Sequence, residues 1–192
     1  MSEAPEPERP ASPAAVVVAS VAVFAGLFGA ALWWLSVRDR SAALAEVAVG
    51  RHGPLLASAV GLGLGVVMAW LGNAASRRWQ GVRDVERLAH ASLAGVGDKA
   101  MVTLVLTGAV AEETFFRLAV QDQFGMFGSV AASVLLNSWL GNVRLTPFVL
   151  VHAVALGLVV QSGFGLLGST TAHAIMNYLT LRRIQCSWNE SP

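Results

Sequence analysis

The sequence predicts an all-α fold, a polytopic transmembrane helical bundle of about six spans. Of its 192 residues 55% are hydrophobic and only 13% are charged. The apolar residues come in long blocks rather than in the short alternations of a soluble domain. These blocks have the length that matters, since a hydrocarbon core of about 30 Å needs about 20 mostly apolar residues per helix. A formal net charge of +1 gives no electrostatic footprint for nucleic acid, and none is expected as a partner.

In chain order, residues 1–13 carry Glu3, Glu6, Glu8, Arg9 and several prolines. They are too acidic for the basic start of a signal peptide and read as a disordered tail. Spans are expected at 14–37 and 54–75, followed by a basic linker that completes an N-terminal unit over 14–98. Further spans at 101–120, 124–140, 145–161 and 163–181 follow with almost no loops between them, within a unit at 99–183. Residues 184–192 are expected to form a C-terminal tail. Glycine and alanine recur in all six blocks, which suits close helix approach in lipid. The linker places Val82, Val85, Leu88, Ala89 and Leu93 at helical spacing, with Arg83, Glu86 and Arg87 between them. This pattern fits an amphipathic helix on the membrane surface, and a solvated loop is the alternative. Cys186 is the single cysteine, so an internal disulfide and a cysteine-based zinc cluster are excluded.

Loop charges set the orientation. Arg77, Arg78, Arg83, Arg87 and Lys99, together with Arg9, Arg144, Arg182 and Arg183, fall on one side of a six-span arrangement. Only Arg38, Arg40 and Arg51 fall opposite. The positive-inside rule then puts both termini in the cytoplasm.

The third expected span contains Glu112, Glu113 and Arg117. An ionisable residue at a helix centre costs about 2.5–3.5 kcal/mol, so its presence at bilayer depth points to function. The fifth and sixth spans carry His152 and His173 near their middles. Each belongs to a pair four residues apart and so on one helix face, Phe148 with His152 and His173 with Asn177. In the third span Glu113 and Arg117 share a face, and Glu112 and Phe116 form a second row. Polar stripes on three helices in lipid are expected to face one another.

Three ordered motifs thus stand in the chain: Glu112-Glu113-Thr114-Phe115-Phe116-Arg117, Phe148-Val149-Leu150-Val151-His152 and His173-Ala174-Ile175-Met176-Asn177. In these it resembles the CPBP group, the CaaX-type prenyl-protein endopeptidases and bacteriocin-processing enzymes, also described as ABI-domain glutamic intramembrane proteases. The resemblance covers about 99–183 and leaves the first two spans outside. Leu118 stands where the family usually has glycine, and Thr146-Pro147 precede the second motif in place of a serine-rich segment. The resemblance implies a four-helix catalytic core and an intramembrane endopeptidase.

Peptide hydrolysis requires a base that activates water and donors that stabilise the oxyanion. Glu112 is assigned as the base and Glu113 as the partner that fixes Arg117. His152 orients water or binds the oxyanion, and His173 and Asn177 supply further donors. Phe116 and Phe148 are expected in an apolar substrate pocket. No cofactor is expected. Zinc is compatible with one Glu and two His, but the His-Glu-x-x-His spacing is absent and an arginine repels a cation. Ser169, four residues before His173, lacks a Gly-x-Ser-x-Gly context and reads as packing. Some ABI-domain proteins are thought to act in self-immunity or as scaffolds, and a polar trio also fits a small transporter. Complete motifs argue against the first, and the lack of an inverted repeat against the second. The composition points to a bacterial inner (cytoplasmic) membrane. The expected substrate is a membrane-embedded or membrane-anchored peptide, such as a C-terminal sorting tail or a bacteriocin-like precursor.

Overall fold

The computed structural model describes residues 12–140 and 143–189, and every regular element among them is helical. The tail expected over 1–13 lies outside these residues up to position 11. Helix α1 (Pro13–Val37) starts where Ser12 Oγ accepts the Ala15 N–H at 3.2 Å and Pro13 occupies the first turn, where no amide partner is needed. A short α2 (Ala43–Val47) precedes α3 (Pro54–Arg78), which again opens on proline, after Gly53 at φ +79°. The linker folds as α4 (Gln80–Ser92). Helix α5 (Asp98–Glu113) continues into a π-helical segment, Thr114–Val120. Next come α6 (Gln121–Leu140), broken at Gly125, then α7 (Thr146–Val159), a second π-helical segment (Val160–Phe164) and α8 (Gly165–Asn189).

Among the described residues three stretches are long and apolar enough to cross a membrane: Pro13–Val37, Pro54–Arg78 and the α7–α8 stretch Thr146–Ser187. The helices at 98–120 and 121–140, also expected as spans, do not qualify by length and composition. The first holds Asp98, Lys99, Glu112, Glu113 and Arg117, and the second opens on Gln121, Asp122 and Gln123. One further expectation is corrected. Residues 184–189 continue α8 rather than begin a tail, because Ile184 is buried and extends the packed face. The linker folds as the amphipathic helix expected there and not as a loop: Val82 is buried and Val85, Ala89 and Leu93 are half-buried, Leu88 alone of the five is largely exposed, and the inward face also carries Glu86. Glu86 accepts from Ser76 Oγ at 2.7 Å and pairs with Arg183, so a charge network joins the apolar stripe in docking this helix.

The long helices alternate in direction. Arg38 and Arg40 meet Asp122 at one end, where the Arg51 amide also donates to the Gly163 carbonyl at 2.9 Å. At the other end Arg182 meets Asp98 at 2.9 Å. Helix α5 is flanked by α1 and α8, α3 packs along α8, and α6 packs against α7 and the first π-helical segment. The α3–α8 contact is close because Gly61 and Gly65 face Gly168 and Ala172. A Cβ on Gly61 would lie 2.4 Å from the Gly168 carbonyl oxygen, and one on Gly65 2.6 Å from that of Ala172. This is the small-residue packing that brings backbones together in lipid.

Candidate functional site

The α5 helix delivers Glu112 and Glu113 just before its hydrogen bonding widens to the π pattern, which carries Arg117. A π-segment inside an α-helix is a frequent mark of a functional site. The Phe116 carbonyl, which accepts the Gln121 N–H across the wide turn, also accepts from Ser129 Oγ at 2.7 Å. Ser129 in turn accepts from Arg117 Nη1 at 2.6 Å.

Glu113 is 1% exposed and Arg117 3% exposed. Spacing alone suggested that these two pair with each other, and Arg117 Nε does lie 3.5 Å from Glu113 Oε2. That approach lacks hydrogen-bond geometry, and both atoms are left without a hydrogen-bond partner. The shorter contact of Glu113 is with His173, whose Nδ1–H donates to Oε1 at 3.0 Å. A carboxylate only accepts, so this bond sets the tautomer of a neutral His173 and leaves Nε2 as its free nitrogen. Glu113 therefore joins α5 to α8 and positions both a histidine and an arginine.

His152 on α7 packs its ring against that of His173, edge to face, with centroids 4.8 Å apart. Its Nε2 is buried and has no hydrogen-bond partner among the described residues. Phe148 lies one turn before it and Asn177 one turn after His173. Glu112, Glu113, Phe116, Arg117, Phe148, His152, His173 and Asn177 all line a single cavity of about 210 Å³. Every residue expected in the site or its pocket is thus brought to one place.

The sequence reading missed the contribution of α6. Ser133 and Asn137 line the same cavity, and Ser129 holds Arg117 behind it. Their spacing, Ser129-x-x-x-Ser133-x-x-x-Asn137, is the same four-residue signal that marked the other helices. Asn137 Nδ2 donates back to the Ser133 carbonyl at 2.9 Å. Ser169 is fully buried, donates to the Leu166 carbonyl at 3.2 Å and does not line the cavity. Among the described residues no three His, Cys, Asp or Glu side chains are arranged to hold a metal ion.

A larger cleft of about 960 Å³ adjoins this cavity, walled by α1 (Val23, Leu27, Ala30), α6 (Ala132, Leu135) and Phe115. The two spaces share Glu112, Phe116 and Asn137. The cleft is apolar except at this shared wall, where the half-buried Glu112 stands between an apolar groove and a polar chamber.

Comparison with protein-family models, with curated proteins and with solved structures finds no match to this chain.

Proposed function

We propose that the protein is a CPBP-type intramembrane endopeptidase that uses glutamate-activated water to cleave a membrane-embedded or membrane-anchored protein or peptide. One observation carries this reading: Glu112, Glu113, Arg117, His152, His173 and Asn177, drawn from three separate helices, line one small cavity that adjoins an apolar cleft at Glu112. A volume of about 210 Å³ has room for several waters at about 30 Å³ each. It also holds buried polar atoms without protein partners, among them His152 Nε2.

In the proposed reaction the carboxylate of Glu112 takes a proton from water, and the hydroxyl oxygen adds to the scissile carbonyl carbon. The oxyanion that forms is met by donors from His152 and Asn177. The C–N bond then breaks, and the amine leaves with the proton held by Glu112. Glu113 acts through His173 and Arg117, fixing the ring and the guanidinium that border the reacting carbonyl. An apolar segment of the substrate lies in the cleft while its peptide bond reaches across Phe116. In this scheme all six long helices cross the membrane of a bacterial cell, with both termini in the cytoplasm, and no cofactor takes part.

The test is Glu112→Gln, whose amide keeps size and polarity but cannot accept the proton. A client that accumulates uncleaved in a deletion strain should be processed on return of the native gene and not on return of the variant, with equal protein in the membrane. Wild-type processing by the variant refutes the base assignment. A phenotype that the variant fully restores points instead to a scaffold, immunity or transport role. Activity should also survive chelation, and recovery only on adding zinc would replace the metal-free scheme.

A further inference from the structure

We infer that the outer face of α3 at its C-terminal end binds the headgroup of an anionic phospholipid, independently of the proteolytic reading. Trp70, Asn73, Ala74, Arg77 and Arg78 are spaced i, i+3, i+4, i+7 and i+8, so they form one stripe, and they enclose a cavity of about 290 Å³.

The side chains of the two arginines make no hydrogen bond or ion pair among the described residues. The other arginines whose side chains are described meet an acid, an amide or a carbonyl of this chain. At this same end Arg182 meets Asp98 and Arg183 meets Glu86, while Arg87 meets Asp84. The last carbonyls of α3, the usual targets of arginines at a helix end, are already served by Arg83, whose Nη1 donates to the Ser76 and Arg77 carbonyls at 3.0 and 3.2 Å. The Arg77 and Arg78 guanidinium groups are exposed and have no acidic partner among the described residues. Asn73 likewise has no hydrogen-bond partner there, although it lies on a face that continues into hydrocarbon. A carboxamide in that position needs an acceptor, which the ester or phosphate oxygens of a lipid supply.

The surroundings select a lipid over a soluble anion or an acidic protein. Trp70, 65% exposed, stands about 10 Å before Arg77 along the helix, and Trp79 is exposed just beyond it. Tryptophan above an apolar face and arginine beyond it mark the headgroup level. Below Trp70 the exposed Val66 and Val67 prolong the surface into the zone of the acyl chains. The planar fork of arginine suits phosphate, and paired juxtamembrane cations favour an anionic leaflet.

Native mass spectrometry of the full-length protein, released from mixed phosphatidylglycerol and phosphatidylcholine vesicles of matched chains, tests the site. The native protein should retain phosphatidylglycerol in preference by about thirtyfold, in line with the attraction of two surface arginines. Arg77→Gln with Arg78→Gln should abolish the preference, whereas Arg87→Gln should keep it. Should the double variant fail to accumulate, each single variant is expected to lose about fivefold. No preference in the native protein, or an unchanged preference in the variants, overturns the inference. So does release of a second copy of the chain by the double variant with lipid retention unaltered.

Discussion

Glu113 receives His173 Nδ1–H on one oxygen and faces Arg117 with the other, and both partners are buried with it. Removing one member of a buried pair leaves an uncompensated charge, at a cost on the order of 3–5 kcal/mol. Glu113→Gln should therefore lower the thermal midpoint of the purified protein, followed by tryptophan fluorescence, while Glu112→Gln leaves it near the native value. Equal midpoints for the two variants would remove the distinction between a positioning and a reacting carboxylate. Ser129 supplies the one hydrogen bond that the Arg117 guanidinium makes among the described residues. Bonds to charged groups contribute about 1.5–3 kcal/mol, so Ser129→Ala should destabilise by that order although it lies outside all three motifs. A change below about 0.5 kcal/mol, within the range of ordinary surface substitutions, would show that Arg117 is held by other means.

Helices α3 and α8 approach through Gly61 and Gly65, where even a Cβ would run into backbone carbonyls. Gly61→Val or Gly65→Val must separate the helices, with an overpacking cost of about 1–3 kcal/mol or more. Since α8 carries His173 and Asn177, activity should fall together with stability in these variants. Full activity at a lowered midpoint would uncouple the packing from the site. Asp122 clips the turn after α1 to the start of α6. The hydrogen bonds of Arg40, then the charges of Arg40 and Arg38, hold its carboxyl below the usual carboxylate range. A lowered folded-state value means that the clip stabilises above the unfolded carboxyl value of about 3.9 and is lost as pH falls through the folded value. The midpoint of the native protein should therefore drop more steeply between pH 5 and pH 3, on the order of the range that such a group controls, than that of Asp122→Asn. Parallel pH curves would show that the clip contributes nothing.

In the whole molecule, α1 and α6 form the walls of the cleft that meets the cavity at Glu112, although α1 carries none of the motifs. Filling the cleft tests whether substrate reaches Glu112 along it. Ala132→Trp should reduce cleavage of a membrane-anchored client by about tenfold, or about 1.4 kcal/mol, and spare a short peptide that enters from water. Equal losses on both substrates would show that the cleft is not the route.

The helical ranges and the polar faces of three helices were legible in the sequence, because periodicity and charge in an apolar context are local properties of the chain. Glu112, Glu113, Arg117, His152, His173 and Asn177 could be named from spacing alone, since a lipid surroundings makes each polar residue conspicuous. The contribution of Ser129, Ser133 and Asn137 was written with the same spacing. It stayed silent because such side chains in a span often bond back to their own helix, as Asn137 does here. Which carboxylate takes which partner depended on tertiary structure. The ion pair of Glu113 with Arg117 that helix spacing allows is present at 3.5 Å, and the π-helical turn and the approach of α8 add His173 to Glu113 and Ser129 to Arg117. The inward face of α4 was decided in the same way, because Glu86 is buried only where Ser76 and Arg183 arrive from two other helices. Local pattern determines what each helix can present, and the contacts between helices decide what it meets.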